Sequence, residues 1–122
     1  MASEHTKVPS FIPVESRALR PEERGVVERL LREQEPGYKT QLQTLSVVGR
    51  CGCGNCPTVF FQVHAQGDRE RDLVSLVGRD STGGLVGAVL LEKQGLLSQL
   101  EFYSVDGHNP WSIPAEDSLA SC

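Results

Sequence analysis

The chain has 122 residues, of which 39% are hydrophobic, 23% are charged and 6% are aromatic. This composition fits one globular domain, and it excludes a disordered polyelectrolyte and a membrane-embedded chain. The formal net charge is −4 and the pI is near 5.3. Nucleic acids and anionic membranes require a basic protein surface, so the charge disfavours both as partners.

The sequence shows neither the pattern of a signal peptide nor that of a membrane helix. Its first twenty residues have no apolar stretch long enough for the core of a signal peptide. Its longest apolar run, residues 85–91, is far shorter than the roughly 20 residues that a membrane helix needs. We therefore expect a cytoplasmic, reducing location, where structural disulfides are rare.

The N-terminal part of the chain is predicted to contain an arm and a helix. Residues 1–18 show no regular apolar period and are predicted to form an extended arm. A helix is predicted from about 21 to 35, because Pro21 suits the first helical turn and two glutamates follow it. Pro36 and Gly37 are expected to end this helix.

After the helix, the apolar period changes to two, which predicts strands. The predicted strands cover residues 45–48, 58–63, 73–77, 85–92 and 96–105. The fold class is therefore predicted as α+β, with one N-terminal helix packed on an antiparallel meander of four to five strands. Residues 19–114 would form the single domain, and residues 115–122 would form a flexible tail.

The segment Leu85–Leu91 is apolar at both odd and even positions. A strand of this kind is covered on both faces of its sheet, and one short helix covers only one face. Either the arm and the tail with Trp111 cover the second face, or another polypeptide does. The sequence thus predicts a homodimer through this face, or an unidentified protein partner.

Three cysteines lie within six residues, in the turn between the first two predicted strands. They are Cys51, Cys53 and Cys56, and the fourth cysteine, Cys122, is the last residue. A disulfide between Cys51 and Cys53 would be strained at this spacing, and three cysteines cannot all pair. A structural disulfide framework is therefore disfavoured.

A zinc site is the first interpretation of this turn, because thiolates suit Zn²⁺ and two glycines let the backbone wrap. His64 lies about 26 Å from Cys56 along an extended strand, which excludes it as a fourth ligand unless the strand bends. Chain reversal in a meander brings Asp106 and His108 closer, and Cys122 is an alternative. The predicted metal ligands are Cys51, Cys53, Cys56 and His108.

Three alternatives stay open at this point. The turn could be an inert loop of reduced thiols, or a thiol redox sensor that uses Cys53 and Cys56. The redox interpretation lacks the helix that usually lowers a thiol pKa, because Pro57 and a strand-forming run follow. An enzyme using Asp106 and His108 ranks last, and no catalytic residue is predicted.

Residues 49–59 and 96–107 together resemble a set of short, uncharacterised bacterial proteins. These proteins have a helix, a Cys-Gly-Cys turn and a closing strand that ends in Tyr-Ser and an acidic turn. The resemblance implies one domain in a bacterial cytosol and brings no activity with it. The sequence as a whole predicts a small, soluble, non-enzymatic interaction or regulatory module that binds zinc; the alternative is a thiol redox sensor.

Overall fold

Six strands and two short helices form the regular structure of the chain, in a computed structural model that describes residues 11–53, 56–65, 67–107 and 111–121. In chain order they are β1 (Ile12–Arg17), α1 (Pro21–Leu31), α2 (Pro36–Lys39), β2 (Val47–Arg50), β3 (Val59–Phe60), β4 (Arg71–Arg79), β5 (Leu85–Lys93) and β6 (Leu96–Ser104). Short 3₁₀ turns cover Thr40–Thr44 and Glu116–Ser118. The fold is α+β with an antiparallel sheet, and both the strand number and the helix number exceed the prediction.

The strands lie in the order β1-β2-β3-β6-β5-β4, and all neighbours are antiparallel. This order differs from a simple meander, because the chain crosses from β3 to the far edge before β4, β5 and β6 return. The additional strand is β1, which lies within the segment predicted as an arm. A two-residue turn joins β5 to β6, and its Gln94 and Gly95 have φ values of 55° and 83°, as such tight hairpins require.

Helix α1 begins at Pro21, as predicted, but it ends at Leu31 instead of residue 35. The predicted stop was wrong because Pro36 occupies the first turn of α2, where a missing N–H costs nothing. One face of α1 is buried against the sheet through Val26, Val27, Leu30 and Leu31.

The hydrophobic core lies between α1 and one face of the sheet. Strand β5 contributes Val86, Ala88 and Leu90, each fully buried. The sequence assigns residues 115–122 to a tail, and in the structure Leu119 of this segment is only 3% exposed. Ala120 forms an antiparallel bridge with Val77. Residues 115–121 therefore pack on the core and along the edge strand β4.

The second face of the sheet is covered in part by the chain itself. The ring of Phe60 packs against Phe11 with centroids 5.1 Å apart, and against His64 with centroids 5.5 Å apart. Trp111 packs against the core on the helix side instead. Self-association through the second face stays a prediction. Within the described ranges, no helix is long and apolar enough to cross a membrane.

Candidate metal centre

The cysteine turn joins β2 to β3, and the sheet holds both of its ends. The backbone N–H of Cys51 donates to the carbonyl of Thr58 at 3.3 Å, which closes the turn. The buried hydroxyl of Thr58 accepts a hydrogen bond from the backbone N–H of Phe102 in β6, at 2.9 Å. The first hydrogen bond closes the base of the turn, and the second holds this base to β6.

The three sulfur atoms converge inside this turn. All three lie within 4.8 Å of one another, and the sulfurs of Cys53 and Cys56 are 3.1 Å apart. No disulfide joins Cys51, Cys53 and Cys56. Tetrahedral zinc with bonds of about 2.3 Å holds its sulfurs about 3.8 Å apart, so the Cys53–Cys56 pair needs to open by less than about 1 Å.

Backbone amides point at two of the sulfurs. The N–H of Cys53 donates to the sulfur of Cys51 at 3.4 Å, and the N–H of Cys56 donates to the sulfur of Cys53 at 3.3 Å. A hydrogen bond donated to a sulfur favours its thiolate form, which is the form that binds a metal. The local backbone is therefore arranged to support negative charge on the cluster.

Burial opposes negative charge on Cys51. Burial raises the pKa of the Cys51 thiol to about 12. The N–H of Cys53 opposes this rise, whereas hydrogen bonds with the neighbouring thiols and the charge of Cys56 add to it. A bound metal ion would offset the mutual repulsion of three thiolates, and its binding would release protons.

Of the residues predicted as metal ligands, the structure brings together Cys51, Cys53 and Cys56. His108 and Cys122 lie outside the described residues, so their roles stay predictions. Among the described residues, no histidine or carboxylate joins the three sulfurs. The carboxylate of Asp106 accepts a hydrogen bond from the N–H of Leu85 at 3.1 Å. The paired residues Val59 and Leu100 nevertheless place the carboxyl end of β6 at the same end of the sheet as the turn.

Sequence reasoning did not find the charged residues that lie beside the turn. Arg17 donates two hydrogen bonds of 2.9 Å to the two carboxylate oxygens of Glu23, and the N–H of Arg20 donates to Glu23 at 2.8 Å. Burial alone would raise the pKa of Glu23, but these hydrogen bonds and the two arginine charges outweigh it and lower the pKa. These residues share no motif, so the sequence carried no signal of their proximity to the turn.

Comparisons with protein-family models, curated proteins and solved structures found no match to this chain. The resemblance to short bacterial proteins therefore stays a prediction. The interpretation of the cluster depends on its geometry and chemistry alone.

Proposed function

We propose that the chain is a small zinc-binding protein, in which Cys51, Cys53 and Cys56 supply three thiolate ligands to one metal ion. The observation that carries this proposal is the convergence of the three sulfurs within 4.8 Å. The backbone amides that point at two of the sulfurs support it further. Thiolate is a soft ligand that selects zinc over magnesium or calcium.

The donor set favours a structural centre over a catalytic one. Structural zinc sites are rich in cysteine, whereas catalytic sites use several histidines or carboxylates and keep one position for water. The proposed centre would fix the turn that joins β2 to β3, so the protein would act as an interaction or regulatory module. His108 is the proposed fourth ligand, because the end of β6 lies at the same end of the sheet.

Cobalt substitution tests this proposal. Co²⁺ bound by thiolates gives charge-transfer bands whose intensity follows the number of sulfur ligands, and its visible bands report tetrahedral geometry. We expect one Co²⁺ per chain, displaced by Zn²⁺. Loss of a residue that hydrogen-bonds a metal ligand lowers metal affinity about 10–100-fold. Loss of a ligand itself, in C51S, C53S or C56S, should therefore lower the Co²⁺ affinity by about 100-fold or more.

Two histidine variants complete this experiment. H64A is the matched control for H108A, because His64 lies between Asp68 and Glu70 and outside the sulfur cluster. We expect the visible bands to change in H108A and to stay unchanged in H64A. The zinc proposal would be overturned if the wild type gave no cobalt bands. It would also be overturned if the bands stayed unchanged in each of the three serine variants.

A second function is favoured by one specific distance, the 3.1 Å between the sulfurs of Cys53 and Cys56. These sulfurs are close enough to form a disulfide after a small movement. Oxidation would take two electrons and two protons from the two thiols and give one disulfide; with hydrogen peroxide as the oxidant, two water molecules form. In this alternative the turn acts as a thiol redox sensor.

A further inference from the structure

A cleft of about 300 Å³ opens beside the cysteine turn, between β1, the start of α1 and the ends of β2 and β3. Its volume is at the lower end of the range for small-molecule sites. Part of its wall is apolar and partly exposed, through Val14, Pro57 and Ile113. Cys56 borders the cleft as well.

The charges that line the cleft are unequal. Three arginines face two glutamates there, in a chain whose formal net charge is −4. One pair is already satisfied, because both carboxylate oxygens of Glu23 accept hydrogen bonds from Arg17. Two arginines and one glutamate remain at the cleft, so its net charge is positive although the whole protein is acidic.

Two guanidinium groups remain for a ligand, those of Arg20 and Arg50. Within the described residues, neither forms an ion pair with a carboxylate, and the only hydrogen bond of the Arg50 side chain is a long one of 3.4 Å to the carbonyl of Cys51. Both residues are exposed, so their side chains are accessible from solution. The other carboxylate at the cleft, Glu15, leaves an excess of one positive charge.

We propose that this cleft binds a small organic anion, with Arg20 and Arg50 holding its oxyanion group and the apolar wall of Val14, Pro57 and Ile113 receiving its apolar part. Guanidinium groups suit this role, because their planar N–H donors match the oxygens of a carboxylate or phosphate. The proposal goes beyond the zinc centre and does not depend on it. The bound anion would lie next to Cys56 and therefore beside the sulfur cluster.

The experiment is an NMR titration of the full chain with three probes: inorganic phosphate, phenyl phosphate and benzoate. Ionic strength is held constant with sodium chloride. We expect saturable shifts of the backbone amides of Arg50, Thr58 and Val59 and of the side-chain N–H signals of Arg20. The organic probes should bind more tightly than inorganic phosphate, because only they can contact the apolar wall.

Variants separate a specific site from general electrostatic attraction. We expect R20Q and R50Q each to weaken binding about tenfold, since each removes charged hydrogen bonds to the ligand. R69Q is the matched control, because it removes the same charge from an exposed loop outside the cleft and should leave the affinity unchanged. Unchanged spectra elsewhere in the chain verify that the variants are folded.

The outcomes decide both the proposal and the ligand class. Tighter binding of benzoate assigns the site to carboxylates, and tighter binding of phenyl phosphate assigns it to phosphates. Shifts that do not saturate, or equal weakening by R69Q, overturn the proposal. The titration is repeated with C53S, which lacks a proposed metal ligand outside the cleft. Anion binding that persists in C53S shows that this site stands even where zinc binding fails.

Discussion

The ring of Phe11 lies directly over the α-carbon of Gly49. A β-carbon added to Gly49 would lie 2.1 Å from an edge atom of this ring, so only glycine leaves room for it. The same ring packs edge-on against Phe60. Gly49 therefore allows the segment before β1 to cover the second face of the sheet.

We expect G49A to lower the free energy of unfolding by about 1–3 kcal/mol, because the added methyl group must displace the Phe11 ring. Urea unfolding measures this change. G37A is the matched control, since a β-carbon at Gly37 meets nothing within 4 Å and alanine suits a helix better than glycine. A G49A protein as stable as the wild type would show that the ring is not held in this place.

The Arg17–Glu23 pair predicts a pH-dependent contribution to stability. Hydrogen bonds hold the pKa of Glu23 below its usual value of 4.5 in the folded state, so its contribution is present above that value and disappears as the pH falls through the folded-state pKa. We expect E23Q to be less stable than the wild type by about 1–3 kcal/mol at pH 7.

Urea unfolding of E23Q between pH 7 and pH 3 checks both the size and the sign. The difference from the wild type should shrink at acid pH, where the wild-type carboxyl becomes neutral as well. E22Q changes the neighbouring, exposed glutamate and should differ little from the wild type. A constant difference for E23Q across this pH range would contradict the electrostatic origin of the effect.

Mild oxidation of the metal-free protein should join Cys53 to Cys56. Their sulfurs are closer to each other than is usual for a metal site, and Cys53 is exposed to the oxidant. Peptide mass spectrometry should find this crosslink with the loss of two hydrogens, and it should be absent in C56S. Bound Zn²⁺ should suppress it, because the metal holds both sulfurs apart. Oxidation that instead gives mainly intermolecular dimers would argue against the redox alternative.

Glu101 predicts the opposite pH behaviour to Glu23. Partial loss of hydration at the sheet surface raises its pKa, and the charges of Asp72 and Glu70 raise it further. A raised carboxyl pKa means that ionisation destabilises the fold, and this cost appears as the pH rises through the folded-state pKa.

We therefore expect E101Q to be more stable than the wild type at pH 7, by about 0.5 kcal/mol, since exposed charges interact weakly. The gain should vanish at acid pH, where the wild-type group is protonated. Thermal unfolding at several pH values measures it, with E33Q as the control at an exposed glutamate. A gain that is the same at pH 7 and pH 3 would point to packing instead of charge.

Local signals predicted the start of α1 and the three long strands β4, β5 and β6 closely. Pro21 and the acidic first turn mark the helix start because their effect acts within one turn. The end of α1 could not be predicted in the same way, because Pro36 can either stop one helix or begin another. The direction of the chain after Leu31 decides between these two roles.

Long-range pairing was not available from the sequence. The run from Thr58 to Val63 has strand-forming residues throughout, yet β3 contains only Val59 and Phe60. Beyond them the side chain of Gln62 donates to the carbonyls of Leu96 and Leu97, and the chain leaves the sheet. The sulfur cluster was predictable because its residues are close in sequence, whereas the arginine cleft depends on three distant segments.

The shortness of β3 has a consequence for how the protein unfolds. Within the part of the chain that the structure describes, Val59 and Phe60 form the one strand that connects the β1–β2 pair with the β6–β5–β4 half of the sheet. The turn of the cysteines leads directly into this connection, so the proposed metal ion would determine whether the two halves open together or separately. Binding of the proposed metal ion would thus make unfolding more cooperative: without the metal, the amides of β2 should exchange with solvent before those of β5, and with it both should exchange as one unit.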